Sequence, residues 1–138
     1  MAYEIKKFPY GGAVDADGHI LEPPDLWENY LPEKYLDKAL RIGVDDEGYE
    51  YLEINGQPSK RSRRGSLGLL GAMGEEDQRP SIERRYADSM PFGACNPTER
   101  ISLLDQENLE MSLLYPTLGL LWECELTDPA LSLAYTTA

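Results

Sequence analysis

The stretch "NPTERISLLDQENLEMSLLYPT", Asn96 to Thr117, holds two patterns back to back, and their order decides the fold. Asn96 is a good N-cap, Pro97 suits the first helical position, and Glu99 stands where a capping box places its acid. Ile101 and Leu104 are spaced to face a core, and Asn108 tolerates the left-handed conformation that ends helices. Met111 to Tyr115 then reads as an apolar strand, stopped by Pro116. A helix that feeds straight into a strand predicts a crossover unit, which needs an earlier strand to pair with.

That strand lies near the start of the chain. Residues 1 to 12 are a polar lead ending in Pro9 and the Gly11-Gly12 pair, a turn into a short strand over Ala13 to Asp17. In "LEPPDLWENYLPEKYLD", Leu26, Trp27, Tyr30 and Leu31 recur at helical spacing. They predict a short helix N-capped by Asp25, with Glu28 completing a capping box. From Leu40 the period changes to two. "LRIGVDDEGYEYLEINGQP" reads as a β-hairpin turning at Asp46-Glu47-Gly48 and ending at the Asn-Gly-Gln-Pro tetrapeptide. Ser59 to about Cys95 has little periodicity, and unstructured loops of that length are uncommon in compact domains unless functional or mobile. Beyond the second strand and a loop through Trp122, Asp128-Pro129 repeats the start of a helix.

Strand, excursion, helix, strand, loop, helix is a βαβα order and predicts an α/β fold with a parallel sheet. Two parallel strands do not close a sheet. The last helix carries no stop signal, so these residues read as the front part of something larger, and no internal repeat suggests a solenoid.

Composition narrows the partners. The 138 residues suffice for one domain, and 41% hydrophobic content is ordinary for a globular chain. A formal charge of −12 argues against nucleic acid or an anionic membrane as partner. The one basic run, Lys60, Arg61, Arg63 and Arg64, reads as a solvated loop able to attract an acid locally. Cys95 and Cys124 are expected as free thiols, since they have neither disulfide-framework nor zinc-site spacing. With no apolar run near about 18 residues and no signal-peptide core, a cytoplasmic location is expected.

The chemistry centres on "VDADGH", because His19 is the only histidine in the chain. In a regular strand Asp15, Asp17 and His19 share one face, and at the C-terminal end of a barrel strand such a face looks into the site. Three readings of the spacing stand open. In the first, Asp and Gly mark a turn and His19 is an ordinary polar residue near it. Alternatively, an Asp-x-His pair offers mixed oxygen and nitrogen donors suited to Zn, Mn or Fe. The third reading is a phosphatase of the haloacid dehalogenase type with Asp15 as nucleophile, though that pattern wants Thr or Val where His19 stands. It predicts phosphate or vanadate binding near Asp15.

The wider stretch "DADGHILEPPDLWENYLPEKY" resembles the opening of the amidohydrolase-related family, metal-dependent TIM-barrel hydrolases and decarboxylases. The resemblance rests on Asp17-x-His19, Glu22-Pro23, Asp25-Leu26-Trp27 and Tyr30-Leu31-Pro32. "NPTERISLLDQENLEMSLLYPTLGLLW" is similar to that family's helix, second strand and following loop. The resemblance implies the N-terminal fragment of a (β/α)8 TIM barrel with a β-hairpin insertion after the first strand. On that reading 13–40 is the first strand and following helix, 41–95 the hairpin and loop insertion, and 96–138 the helix, second strand and start of the next helix.

The same resemblance makes Asp17 and His19 the first two ligands of a divalent metal ion, Zn, Mn or Fe. Asp15 falls outside the pair as a support behind it, and Glu22 sits at the rim with no ligand role. Tyr115 and Trp122 are candidates to line an aromatic substrate pocket, although core packing explains them equally well. The family's remaining ligands and its acid-base histidine come from later strands, and this chain has no second His. The implied activity is hydrolysis or non-oxidative decarboxylation of a carboxylated small molecule, by Lewis-acid and water-activation chemistry. Since about two of eight barrel units are present, a homo-oligomer or association with the missing part of the barrel is expected. A truncated or frameshifted gene and a split barrel are two explanations. A third is an inactive fragment that acts only through self-association or partner binding.

Overall fold

The computed structural model describes residues 4–72 and 75–138; residues 1–3 of the polar lead and 73–74 of the long loop lie outside that description. In chain order the strands are β1 (Ala13–His19), β2 (Arg41–Val44), β3 (Glu50–Ile54), β4 (Gln57–Pro58) and β5 (Leu109–Tyr115). The helices are α1 (Leu26–Tyr30), α2 (Pro97–Glu107), α3 (Gly119–Trp122) and α4 (Pro129–Thr137), with 3-10 segments at Glu33–Lys38, Leu67–Leu69 and Ala87–Ser89.

The crossover unit forms as its residues predict. β1 and β5 pair in parallel, with His19 opposite Tyr115 at their carboxyl ends. The Asn96 side chain accepts from the Thr98 and Glu99 N–H groups at 2.9 and 3.3 Å, and Asn108 ends α2 with φ 63°. Only half of the capping box appears, because the Glu99 carboxylate accepts instead from the N–H of Gly93 at 3.1 Å. The buried stripe is also rotated from the expected one. Ile101 is 64% exposed and Leu104 half-buried, while Leu103 and Glu107 are buried. The preceding loop decides this, since Gly93 packs close to the Leu103 side chain.

At α1 the capping box fails. Asp25 has non-cap dihedrals (φ −106°, ψ 12°) and makes no cap bond; its carboxylate accepts from the Asn29 amide at 2.8 Å. Glu28 accepts from Arg41 Nε at 2.7 Å, so a cation on β2 draws away the acid that would have closed the box. By contrast, the Asp128 side chain caps α4 through the N–H groups of Ala130 and Leu131.

The insertion is a second, antiparallel sheet in the order β2-β3-β4. Asp45 closes its first turn by accepting from the N–H groups of Glu47 and Tyr49, and Gly48 takes φ +90°. Asn55 and Gly56, at φ 53° and 70°, form a second hairpin turn into β4, so the tetrapeptide read as the hairpin's end begins another strand. The basic run finds the chain's own acids. Arg64 pairs with Asp45 and Glu47 at 3.0 Å, and Glu125 accepts from the Ser59 hydroxyl and the Lys60 and Arg61 N–H groups.

The core gathers around this insertion rather than around the parallel pair. Leu52 and Ile54 of β3, Trp27 and Leu31, Leu40, Leu67, Tyr86, Leu118, Trp122, and Leu131 and Tyr135 of α4 form one cluster. Trp27 donates its indole N–H to the Tyr135 carbonyl at 3.1 Å, and the Trp122 and Tyr135 rings meet edge to face at 5.3 Å. Burial raises the pKa of the Tyr86 and Tyr135 hydroxyls, which donate to the carbonyls of Glu22 and Lys38. On β1 and β5, Val14, Met111, Leu113, Leu114 and Tyr115 stay exposed. Among the described residues no helix is long and apolar enough to cross a membrane.

Candidate functional site

The carboxyl ends of β1 and β5 lie side by side, the place where open parallel sheets assemble ligand sites. Asp17 and His19 stand there, two residues apart on β1. His19 Nε2 lies 4.0 Å from Asp17 Oδ1, with the two side chains 45% and 90% exposed respectively. Both are therefore open to a ligand arriving from solvent.

Asp15 does not share their face. The pairing slips between Asp15 and Gly18, where Asp15 sits opposite Ser112 and Gly18 opposite Leu114, so three steps on β1 match two on β5. That bulge breaks the alternation on which the shared-face expectation rested. A Cβ on Gly18 would meet the Asp15 carboxylate at 2.5 Å, which puts positions 15 and 18 on one side. Asp15 accepts from the Ser112 hydroxyl at 2.8 Å and from the Asp17 N–H at 3.1 Å. It thus supports the backbone that presents Asp17.

Residues that sequence reasoning passed over hold His19 from behind. Its Nδ1 is 3.2 Å from Thr117 Oγ1, and the Thr117 hydroxyl donates to the Ile20 carbonyl at 2.5 Å. Arg100 of α2 donates to the His19 carbonyl at 2.5 Å. Glu22, placed at the rim by sequence, is only 3% exposed, and its carboxylate accepts three backbone N–H bonds: Thr117 at 3.0 Å, Leu118 at 3.0 Å and Gly119 at 2.9 Å. It ties the loop after β1 to the loop after β5. The available signal was an acid just before Pro23-Pro24, facing a Pro116-Thr117 strand end.

Of the two aromatic candidates, Tyr115 stands at the site, its ring centroid 6.1 Å from that of His19 and its side chain exposed. Trp122 is buried against Tyr135 instead. An open cavity lies elsewhere, between the N-terminal lead around Glu4 to Phe8 and the loop that carries Arg84 and Phe92. No cluster of three or more His, Cys, Asp or Glu side chains suited to a metal ion occurs among the described residues. Cys95 and Cys124 are both free and exposed.

The architecture is thus mixed α/β, with a parallel pair that carries the candidate residues and an antiparallel insertion that carries the core. No family model matches the chain, and no curated protein matches it in sequence. Among solved structures, an amidohydrolase from Mycobacterium avium subsp. paratuberculosis K-10 is similar over 83% of this chain, with a TM-score of 0.54 and 20% identity. The chain spans 33% of the length of that protein. The likeness is one of fold, which is amidohydrolase-like over the matched portion.

Proposed function

We propose that Asp17 and His19 are the first two ligands of a divalent metal ion in an amidohydrolase-type site whose other ligands come from outside these residues. The geometry of the donor pair carries this reading. Ligand bonds from Zn to imidazole nitrogen or carboxylate oxygen run about 2.0–2.2 Å, so two donors on one ion stand at most roughly 4.3 Å apart. At 4.0 Å, His19 Nε2 and Asp17 Oδ1 fall within that reach, and the Asp17 side chain is open to solvent. The donors suit Zn, Mn or Fe better than Ca.

An ion held there supplies Lewis-acid polarisation of a carbonyl or activation of a water, the chemistry of metal-dependent hydrolysis and non-oxidative decarboxylation. Around it, Asp15 steadies the Asp17 backbone and Thr117 steadies the His19 ring. Tyr115 offers an exposed aromatic wall for a carboxylated small molecule, with aromatic acids the first class to screen. The TIM-barrel fragment is the architecture this function requires. The 33% coverage of the amidohydrolase and the bare parallel pair support it.

A second reading has its own observation behind it. The exposed apolar residues of β1 and β5 suit a chain that acts through self-association or partner binding without catalysis. Size-exclusion chromatography with light scattering and elemental analysis separates the two. The metal reading predicts Zn, Mn or Fe in the protein peak, lost in Asp17→Asn and His19→Ala. Metal retained equally by both variants contradicts it, and a metal-free peak rules out catalysis by this chain alone.

A further inference from the structure

We infer that Thr117 and Glu22 are positioning residues that lock His19 in the Nδ1–H tautomer and so aim the bare Nε2 lone pair at Asp17. A threonine hydroxyl has one proton to give, and a backbone carbonyl can only accept. The Ile20 carbonyl, 2.5 Å away, takes the Thr117 proton, so Thr117 Oγ1 can only accept from His19 Nδ1 at 3.2 Å. In the neutral ring Nδ1 therefore carries the hydrogen and Nε2 is an acceptor. A neutral imidazole free in water favours the other tautomer, so the protein reverses the ring's own preference.

Thr117 holds this orientation only if its backbone is fixed, and Glu22 fixes it. Its buried carboxylate gathers the N–H groups of three consecutive residues, Thr117, Leu118 and Gly119. Glutamine at position 22 keeps one oxygen acceptor but turns an amide NH2 toward a backbone N–H, setting donor against donor at one of the three bonds. The chain of cause runs from Glu22 to the Thr117 backbone, then to the Thr117 hydroxyl and the His19 ring. It rests on the metal reading only for its purpose, because the side of the ring left bare is the side that faces Asp17.

Long-range 1H–15N correlation spectra of the metal-free 15N-labelled chain, in mildly alkaline buffer with any affinity tag removed, test this directly. Protonated and bare ring nitrogens resonate far apart, and His19 supplies the only ring. The expected spectrum shows a protonated Nδ1 and a bare Nε2. Thr117→Val should shift the population toward Nε2–H, Thr117→Ser should restore the wild-type pattern, and Glu22→Gln should shift it in the same direction as Val. A wild-type ring that is mainly Nε2–H overturns the inference without need of any variant, as does a Thr117→Val ring identical to wild type. If Glu22→Gln stays folded, with amide dispersion intact, and leaves the tautomer unchanged, the role of Glu22 falls. Adding Zn afterwards is a separate reading. A correct tautomer that ignores the ion sinks the metal proposal and leaves this one standing.

Discussion

Position 18 shows how tightly the end of β1 is drawn. A Cβ there would lie 2.2 Å from Ser112 Oγ and 2.5 Å from Asp15 Oδ2, inside the 2.8 Å hydrogen bond that joins those two groups. Gly18→Ala must force them apart, and overpacking of this kind costs about 1–3 kcal/mol. Urea unfolding should show that loss for Gly18→Ala, while Gly11→Ala, with nothing within 4 Å of the added carbon, should change stability little. The Asp17 and His19 pair was legible because its partners are two residues apart. Thr117 was not, because it stands 98 residues from His19 and only the parallel register brings the two together. Asp15 was misplaced for a related reason: a bulge is a property of two strands, and one strand read alone shows only its ideal alternation.

Among the elements, caps separate what local chemistry determines from what neighbours override. Asn96 and Asp128 each bind two N–H groups, so replacing either by Ala should cost about 1 kcal/mol in denaturant titrations. Asp25→Ala should cost clearly less, since Asp25 makes no cap bond. All three positions carry a residue type that caps helices, but Asn96 and Asp128 are followed by Pro at the first helical position and Asp25 by Leu26, and there Asn29 and Arg41 draw the Asp25 and Glu28 carboxylates away. The long loop is tied down by Glu125. Burial pushes its carboxyl pKa up, but the Ser59 hydroxyl and the Lys60 and Arg61 N–H groups outweigh this and hold it below its ordinary 4.5. A depressed folded value means that the clasp contributes fully above the unfolded pKa and is lost as pH falls through the folded one. Amide shifts of Lys60 and Arg61 should therefore move as pH is lowered below the ordinary 4.5, and Glu125→Gln should flatten that movement.

In the whole molecule the two sheets have exchanged the roles expected of them. Parallel strands are ordinarily buried on both faces, yet Met111 and Leu113 of β5 are about half exposed, while Leu52 of the inserted hairpin is fully buried. Met111→Lys should thus stay within about 0.5 kcal/mol of wild type, whereas Leu52→Ala should cost about 2–5 kcal/mol. Strand order and parallel direction were legible from the βαβα pattern. The location of the core was not, because an apolar strand such as β5 announces burial without saying what covers it. A fold that matches a third of an amidohydrolase and leaves this sheet bare places its candidate chemistry at the sheet's open carboxyl end. The most direct measurement is a Zn titration followed at the His19 ring nitrogens, in wild type and in Asp17→Asn. Nε2 should shift on adding metal while Nδ1 keeps its proton, and Asp17→Asn should abolish the shift at the same concentrations. An unmoved Nε2, or an equal response in the variant, would show that Asp17 and His19 do not hold a metal together.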